Sequence, residues 1–203
     1  MPDSDFDSIK IGVCDIFWMG PAAVVETFLG LTKGGCELTY TPEWHDLQVD
    51  QYGNTVVDSV LIGEAVMVKA PLAETSMDKL AMFSHTGTEL LTVPPTPVRY
   101  KVTFGRFPGL RLSTKCGRLR LHPIAMGADF TEDIIIYRAA SRAPLQLNYK
   151  LDAESIYETE FHGMVMRANG TGAFLWEIGD ASKDLLGLPA TPVPTNEYEF
   201  DLT

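Results

Sequence analysis

The 203-residue sequence predicts a mainly β fold: a β-sandwich or distorted β-barrel with one flanking α-helix, a long inter-strand loop and extended terminal arms. Three observations predict it. Apolar and polar residues alternate with a period of two in several separate stretches, turn-forming residues bound those stretches, and only one stretch carries helix signals. A hydrophobic fraction of 45% suits a chain that buries one core. The expected organisation is a flexible arm over residues 1–10, one domain over 11–187 and a Pro-rich arm over 188–203.

From Gly35 to Trp44, residues Cys36, Leu38, Tyr40 and Trp44 fall on one face and Glu37, Thr39, Thr41 and Glu43 on the other, as in a half-buried strand. Ile62, Val66, Val68, Ala70 and Leu72 continue in phase over Ile62 to Leu72, with Glu64 as the exception. Between these strands, Asp46 to Leu61 is rich in Asp, Asn and Gly around Gln51, Tyr52, Gly53 and Asn54. It reads as a long loop with a turn at its tip, or as a hairpin extended by Val56, Val57 and Val60. The helix signals lie over Ser76 to Ser84, with Thr75 as cap, Asp78 as its reciprocal partner and Gly87 as the stop.

Val98 to Phe104 sets Tyr100, Val102 and Phe104 against Arg99, Lys101 and Thr103, and Gly117 to His122 sets Leu119 and Leu121 against Arg118, Arg120 and His122. The two basic stripes are candidates for neighbours in one sheet. Ile134 to Tyr137 is apolar on both faces, as a central strand would be. In Ser155 to Val165 the residues Tyr157, Phe161 and Val165 oppose Glu158, Glu160 and His162, and Ala168 to Gly172 reads as a turn into a strand over Ala173 to Ile178. Seven to nine strands are expected.

The net charge of −11 is unevenly distributed. Leu90 to Ala128 contains no acid and seven cations, so the rest of the chain carries −18. The basic segment invites a nucleic-acid reading, against which stand the acidic total and the lack of a reading helix or an RNP-like aromatic signature. A contact surface for acidic protein, or an ordinary face balanced by nearby acids, fits better.

Chemistry-bearing patterns are missing. Gly170 to Gly172 lacks the flanking pattern of a phosphate loop, and there is no GxSxG elbow. His45, His85, His122 and His162 lie one per segment, and Asp46, Asp50 and Asp58 lack the spacing of a calcium loop. Cys14, Cys36 and Cys116 are distant and odd in number, which argues against a disulfide framework and for small buried apolar residues. No enzyme, metal or cofactor is expected. Apolar runs are too short to cross a bilayer, and Met1 to Ser8 carries three aspartates in place of a positive leader, so a cytoplasmic site of synthesis and no membrane partner are expected.

The run Gly34 to Trp44, then Val49 to Gly53, then Ile62 to Lys69 with Leu72 to Thr75, resembles the major tail tube proteins of long-tailed bacteriophages in the order and texture of its elements over roughly residues 12–178. The resemblance implies a β-sandwich subunit of the virion tail, assembled in the host cytoplasm into hexameric rings stacked as a tube. Its implied partners are further copies of itself and other tail proteins such as the tape measure, terminator and distal tail protein, with genome DNA passing through the lumen unbound. Asp46, Asp50, Gln51, Tyr52, Asn54 and Asp58 would then belong to a loop reaching the next ring. Arg99, Lys101, Arg118 and Arg120 would serve subunit contacts, and Glu37, Glu64, Glu158 and Glu160 would be lumen acids. A related tail component, or a nucleic-acid-binding module using residues 99–120, is the alternative.

Overall fold

Alternation in the sequence becomes antiparallel pairing, most of it in one sheet. The computed structural model describes residues 12–21, 23–74, 76, 79–80, 89–93, 99–103, 108–142, 144, 156–168 and 172–180. Its strands are β1 (Cys14–Met19), β2 (Thr27–Phe28), β3 (Glu37–Gln48), β4 (Val56–Leu72), β5 (Glu89–Val93), β6 (Arg99–Thr103), β7 (Gly117–Pro123), β8 (Ile134–Ser141), β9 (Tyr157–Gly163), β10 (Met166–Ala168), β11 (Gly172–Phe174) and β12 (Glu177–Ile178). Eight of them form a sheet of order β2-β1-β7-β8-β9-β4-β3, with β12 added to β8, while β5-β6 and β10-β11 are separate two-stranded ribbons.

One face of the sheet supplies the core. Ile16 and Trp18 of β1, Val66, Val68, Ala70 and Leu72 of β4, Leu119 and Leu121 of β7, Ile136 and Ala139 of β8 and Phe161 of β9 form one buried cluster with Leu29, Leu80 and Leu175. Each large side chain buried there contributes about 1.5–3 kcal/mol. Ile135 and Ile136 are both fully buried, so β8 is covered on both faces as its unbroken apolar run requires. Two glycines let side chains close down on the backbone. A Cβ at Gly117 would lie 2.4 Å from the Met19 carbonyl oxygen and 2.5 Å from the Trp18 ring, and one at Gly163 would lie 2.3 Å from Val66 Cγ1.

Several expectations need correction. The two basic stripes do not share a sheet, because β6 pairs with β5 and β7 lies between β1 and β8. Ile62 is exposed like the rest of β4 from Val56 to Leu61, because β9 pairs with β4 only from Met67 onward; a bulge opposite Glu43 and Trp44 also interrupts the register there. Val165 lies beyond the end of β9 and is exposed, and Ala173 to Ile178 is broken into β11 and β12. The strand β5 has no counterpart in the sequence reading.

Of the expected helix, Lys79 and Leu80 are described as helical. Leu80 N–H donates to the Ser76 carbonyl at 2.9 Å, and Ser76 Oγ accepts the Lys79 N–H at 3.3 Å. That is a capping geometry one residue later than expected. Thr75, Asp78 and Ala81 to Gly87 lie outside the described residues, as do the arms over 1–10 and 188–203 and the turn over 169–171.

Candidate assembly interface

The longest pairing in the molecule runs past the core. β3 and β4 pair from Glu37 and Lys69 out to Gln48 and Val56, but β9 covers β4 only from Met67 to Leu72. Beyond that point β4 has β3 as its one neighbour among the described residues, and β3 is the edge of the sheet. The result is a two-stranded arm, Thr41–Gln48 against Val56–Ala65, whose extended length is about 30 Å. Pro42, which has no N–H to offer a ladder, is tolerated on that edge strand.

The arm is apolar where no other strand among the described residues pairs with it. Trp44 is 57% exposed and Ile62 59%, and Leu47, Val56, Val57, Val60 and Leu61 are exposed as well. Register places Trp44 beside Leu61 on one face of the ribbon and Val60 beside His45 on the other, so both faces carry apolar side chains. An isolated hairpin is marginal in water, and an exposed apolar ribbon with open edges is a template for another chain. At its base the arm is braced by Tyr40, whose ring packs 5.7 Å from that of Trp176 and whose hydroxyl donates to Glu64. That bond to a carboxylate pushes the Tyr40 phenol above its ordinary value.

The residues assigned to a long loop divide between strands and tip. Asp46 sits on β3 and accepts from Ser59 Oγ of β4 at 2.6 Å, and Asp58 on β4 accepts the Ser59 N–H at 2.8 Å. The hairpin alternative is therefore the observed one, and the loop shrinks to 49–55. There Asp50, Gln51 and Tyr52 form a 3-10 turn, closed by Gly53 at φ 63° and followed by Asn54. Tyr52 is 67% exposed at the tip. Among the described residues no three His, Cys, Asp or Glu side chains come together as a metal site.

Of the four proposed lumen acids, three share a face. Glu37 pairs with Lys69, Lys69 with Glu160, and Glu158 with Pro71, so Glu37, Glu158 and Glu160 lie on the side of β3, β4 and β9 away from the core, with Lys69 among them. His162 stands there too, 3.9 Å from Glu160, with its imidazole pushed below its ordinary value by burial and by Arg142, against the opposing pull of Glu160. Glu64 lies on the opposite face, bonded to Tyr40.

The basic stripe on β7 is not a free cationic surface. Glu26 receives Arg118 Nε at 3.0 Å and Arg120 Nε at 2.9 Å, and Arg120 Nη1 reaches Asp133 Oδ2 at 2.8 Å. His122 Nδ1 lies 2.6 Å from Asp133 Oδ1 and its Nε2 lies 3.0 Å from the Gly127 carbonyl oxygen, so the ring is oriented from both edges. Phe17 and Phe130 cover Arg120, with the guanidinium carbon 4.4 Å from the Phe17 ring centre. Arg118 and Arg120 are thus paired with acids of their own chain, as an ordinary face balanced by nearby acids would be. Arg99 and Lys101 lie on β6, in register with Val93 and Leu91.

Burial alone would raise the Glu26 carboxyl, but hydrogen bonds and charge from Arg120 and Arg118 outweigh it and hold the group below the ordinary carboxylate value. A depressed folded-state value means that the stabilisation is complete above the unfolded-state pKa of about 4.3 and is lost as pH falls through the folded value. Glu26→Gln is therefore expected to melt below the parent at pH 7, with the gap closing as pH drops under about 4. Thermal melts of both proteins from pH 7 to pH 2 check this, and a gap independent of pH would refute it.

Sequence reasoning missed Glu26, Asp133 and the exposure of Trp44 and Ile62. The chain matches no protein-family model and no curated protein sequence. Among the described residues no helix is long and apolar enough to cross a membrane.

Proposed function

We propose that this chain is a structural subunit that assembles into stacked, hexameric rings forming the tail tube of a long-tailed bacteriophage, a conduit through which genome DNA passes. The observation that carries the reading is the arm: a sheet extension apolar on both faces, which no strand among the described residues covers. Burying such a ribbon between copies removes its apolar surface from water and covers its open edges, and a head-to-tail contact of this kind propagates rings or filaments. The arm occupies the segment that the resemblance to tail tube proteins assigns to the contact with the next ring.

Two further features support it. Leu29 N–H bonds the Ile16 carbonyl, while Thr32 bridges Leu72 and Lys33 N–H bonds the Pro71 carbonyl, so residues 27–33 tie β1 to the end of β4. In the proposal the sheet therefore curls into a distorted barrel with a helix at its flank. Glu37, Glu158 and Glu160 form the lumen face in this arrangement, where negative charge denies DNA the phosphate contacts that would hold it. Other tail proteins meet the ends of the tube, and the virion tail is its location.

Negative-stain microscopy and sedimentation velocity of the purified chain, across a wide range of concentration and salt, test the proposal. Rings and tubes are expected. Single rings that never stack would assign the chain to a tail terminator instead, and a monomer under every condition would refute assembly.

A further inference from the structure

The chain between β7 and β8 is shaped by its own backbone and meets the sheet at His122. Residues 124–126 form a 3-10 turn closed by Gly127 at φ 59°, and the N–H groups of Gly127, Asp129 and Asp133 donate to the carbonyls of Ile124, Met126 and Phe130. Those bonds are local: they give the segment a form without fastening it. His122 touches it at two points nearly the whole segment apart, with Nδ1 2.6 Å from Asp133 Oδ1 and Nε2 3.0 Å from the Gly127 carbonyl oxygen. The Phe130 ring packs against the imidazole, 5.3 Å between centres.

Both polar partners of the ring are acceptors. A carbonyl oxygen has no proton to give, and neither has the Asp133 carboxylate, whose other oxygen receives Arg120 Nη1. A neutral imidazole carries one N–H. With the proton on Nδ1, the Nε2 lone pair would face the Gly127 oxygen; with the proton on Nε2, the Nδ1 lone pair would face the carboxylate. Either way a buried pair of acceptors is set against each other, since His122 is 7% exposed and Asp133 1%. Only the imidazolium donates to both.

We propose that His122 is a proton-operated clasp: doubly protonated, it donates to Asp133 and Gly127 together and closes residues 124–133 on the sheet, and loss of one ring proton opens that segment. The inference concerns the isolated subunit and does not rest on tube formation.

The charges around the ring are those an imidazolium balances. From β1, Asp15 stands opposite His122 in the ladder; from β7 come Arg118 and Arg120; Glu26, just before β2, binds both arginines; and the 124–133 segment itself carries Asp129, Glu132 and Asp133. The neighbouring strand β8 sets Ile134 and Ile135 against Leu121 and Arg120 and adds no charge there. Two guanidinium groups thus stand against the carboxylates of Asp15, Glu26 and Asp133, and a third cation completes the set. Protons favour the state that binds them, so the clasp is closed at lower pH and opens as pH rises.

The test uses the full chain. Proton–nitrogen NMR of the His122 ring, assigned against His122→Gln, is followed upward from about pH 5 until the ring has lost its second proton. Amide hydrogen exchange is measured in parallel and corrected at each pH for the rate of an unstructured chain. Expected is a fall of about tenfold or more in the protection of the Gly127, Asp129 and Asp133 N–H groups, in step with loss of the ring proton. The N–H groups of Leu29 and Ala73, which bond Ile16 and Leu31, should keep their protection. His122→Gln, with no ring proton to lose, should show no such transition, and His162→Gln should follow the parent. Constant protection in the parent across the ring's titration overturns the proposal, as does loosening that spreads to Leu29 and Ala73 at the same pH. A transition that persists in His122→Gln or vanishes in His162→Gln overturns it as well, and the comparison within the parent stands without either variant.

Discussion

Asp133→Ala is expected to destabilise the fold by about 3–5 kcal/mol, the largest effect of any single side-chain truncation outside the hydrophobic core. Asp133 is 1% exposed and its carboxylate meets Arg120 on one oxygen and His122 on the other. Removing it leaves a guanidinium with only Glu26 to balance it, beside Arg118, and leaves His122 Nδ1 buried without its partner. The cost is the desolvation of groups that have lost their compensation, and it exceeds the worth of the bonds themselves. The backbone of the same residue accepts from Gly179 N–H at 2.8 Å, so loosening Asp133 also loosens the edge held by β12. Asp58→Ala, which removes an exposed acid on the arm, should change stability by less than about 0.5 kcal/mol. Urea unfolding of the three proteins decides the matter, and equal midpoints for Asp133→Ala and the parent would show that the cluster contributes nothing.

Replacing Trp44, Val60, Leu61 and Ile62 together by serine is expected to abolish assembly while leaving the subunit folded. These side chains are 57%, 46%, 41% and 59% exposed, so the isolated subunit loses little burial when they go. In a contact between copies each would bury apolar surface worth about 1.5–3 kcal/mol, a loss repeated at every interface of a ring or tube. Deleting Asp50–Thr55 probes the tip separately, since the ladder ends at Gln48 and Val56 and the core lies far from it. That deletion should give folded subunits that do not stack. Sedimentation velocity and microscopy at matched concentration, with thermal melts as the folding control, give the answer. Tubes of normal length from both variants would take the arm out of the assembly mechanism.

The strands of the sheet were legible because their signal is local. Cys36 and Leu38 turn inward as the alternation requires, Ile135 and Ile136 are buried on opposite faces as an uninterrupted apolar run requires, and Val66 to Leu72 point inward at every second residue. The alternation misled at Ile62, which continued the pattern on paper but lies beyond the reach of β9 and next to a bulge in the fold. The candidate site was half legible. Asp50, Gln51, Tyr52 and Asn54 do sit at the tip of a projecting hairpin, because turn chemistry is written in neighbouring residues. The exposure of Trp44 was not legible, since it lies on the same face as Leu38 and differs in that, among the described residues, no strand beyond β4 flanks its part of the ladder.

By itself the sequence determined a β-rich chain with two strands on either side of a turn-bearing segment between residues 37 and 72, a two-faced central strand and a charge imbalance between segments. Only the tertiary structure decided what those charges do. Glu26 and Arg118 stand 92 residues apart, as do Glu26 and Arg120 by 94, and they meet because residues 27–28 run along β1, which lies next to β7. Periodicity is a property of successive residues and survives in a string of letters. Pairing across a sheet depends on which strands become neighbours, and that is settled by the burial of the whole core.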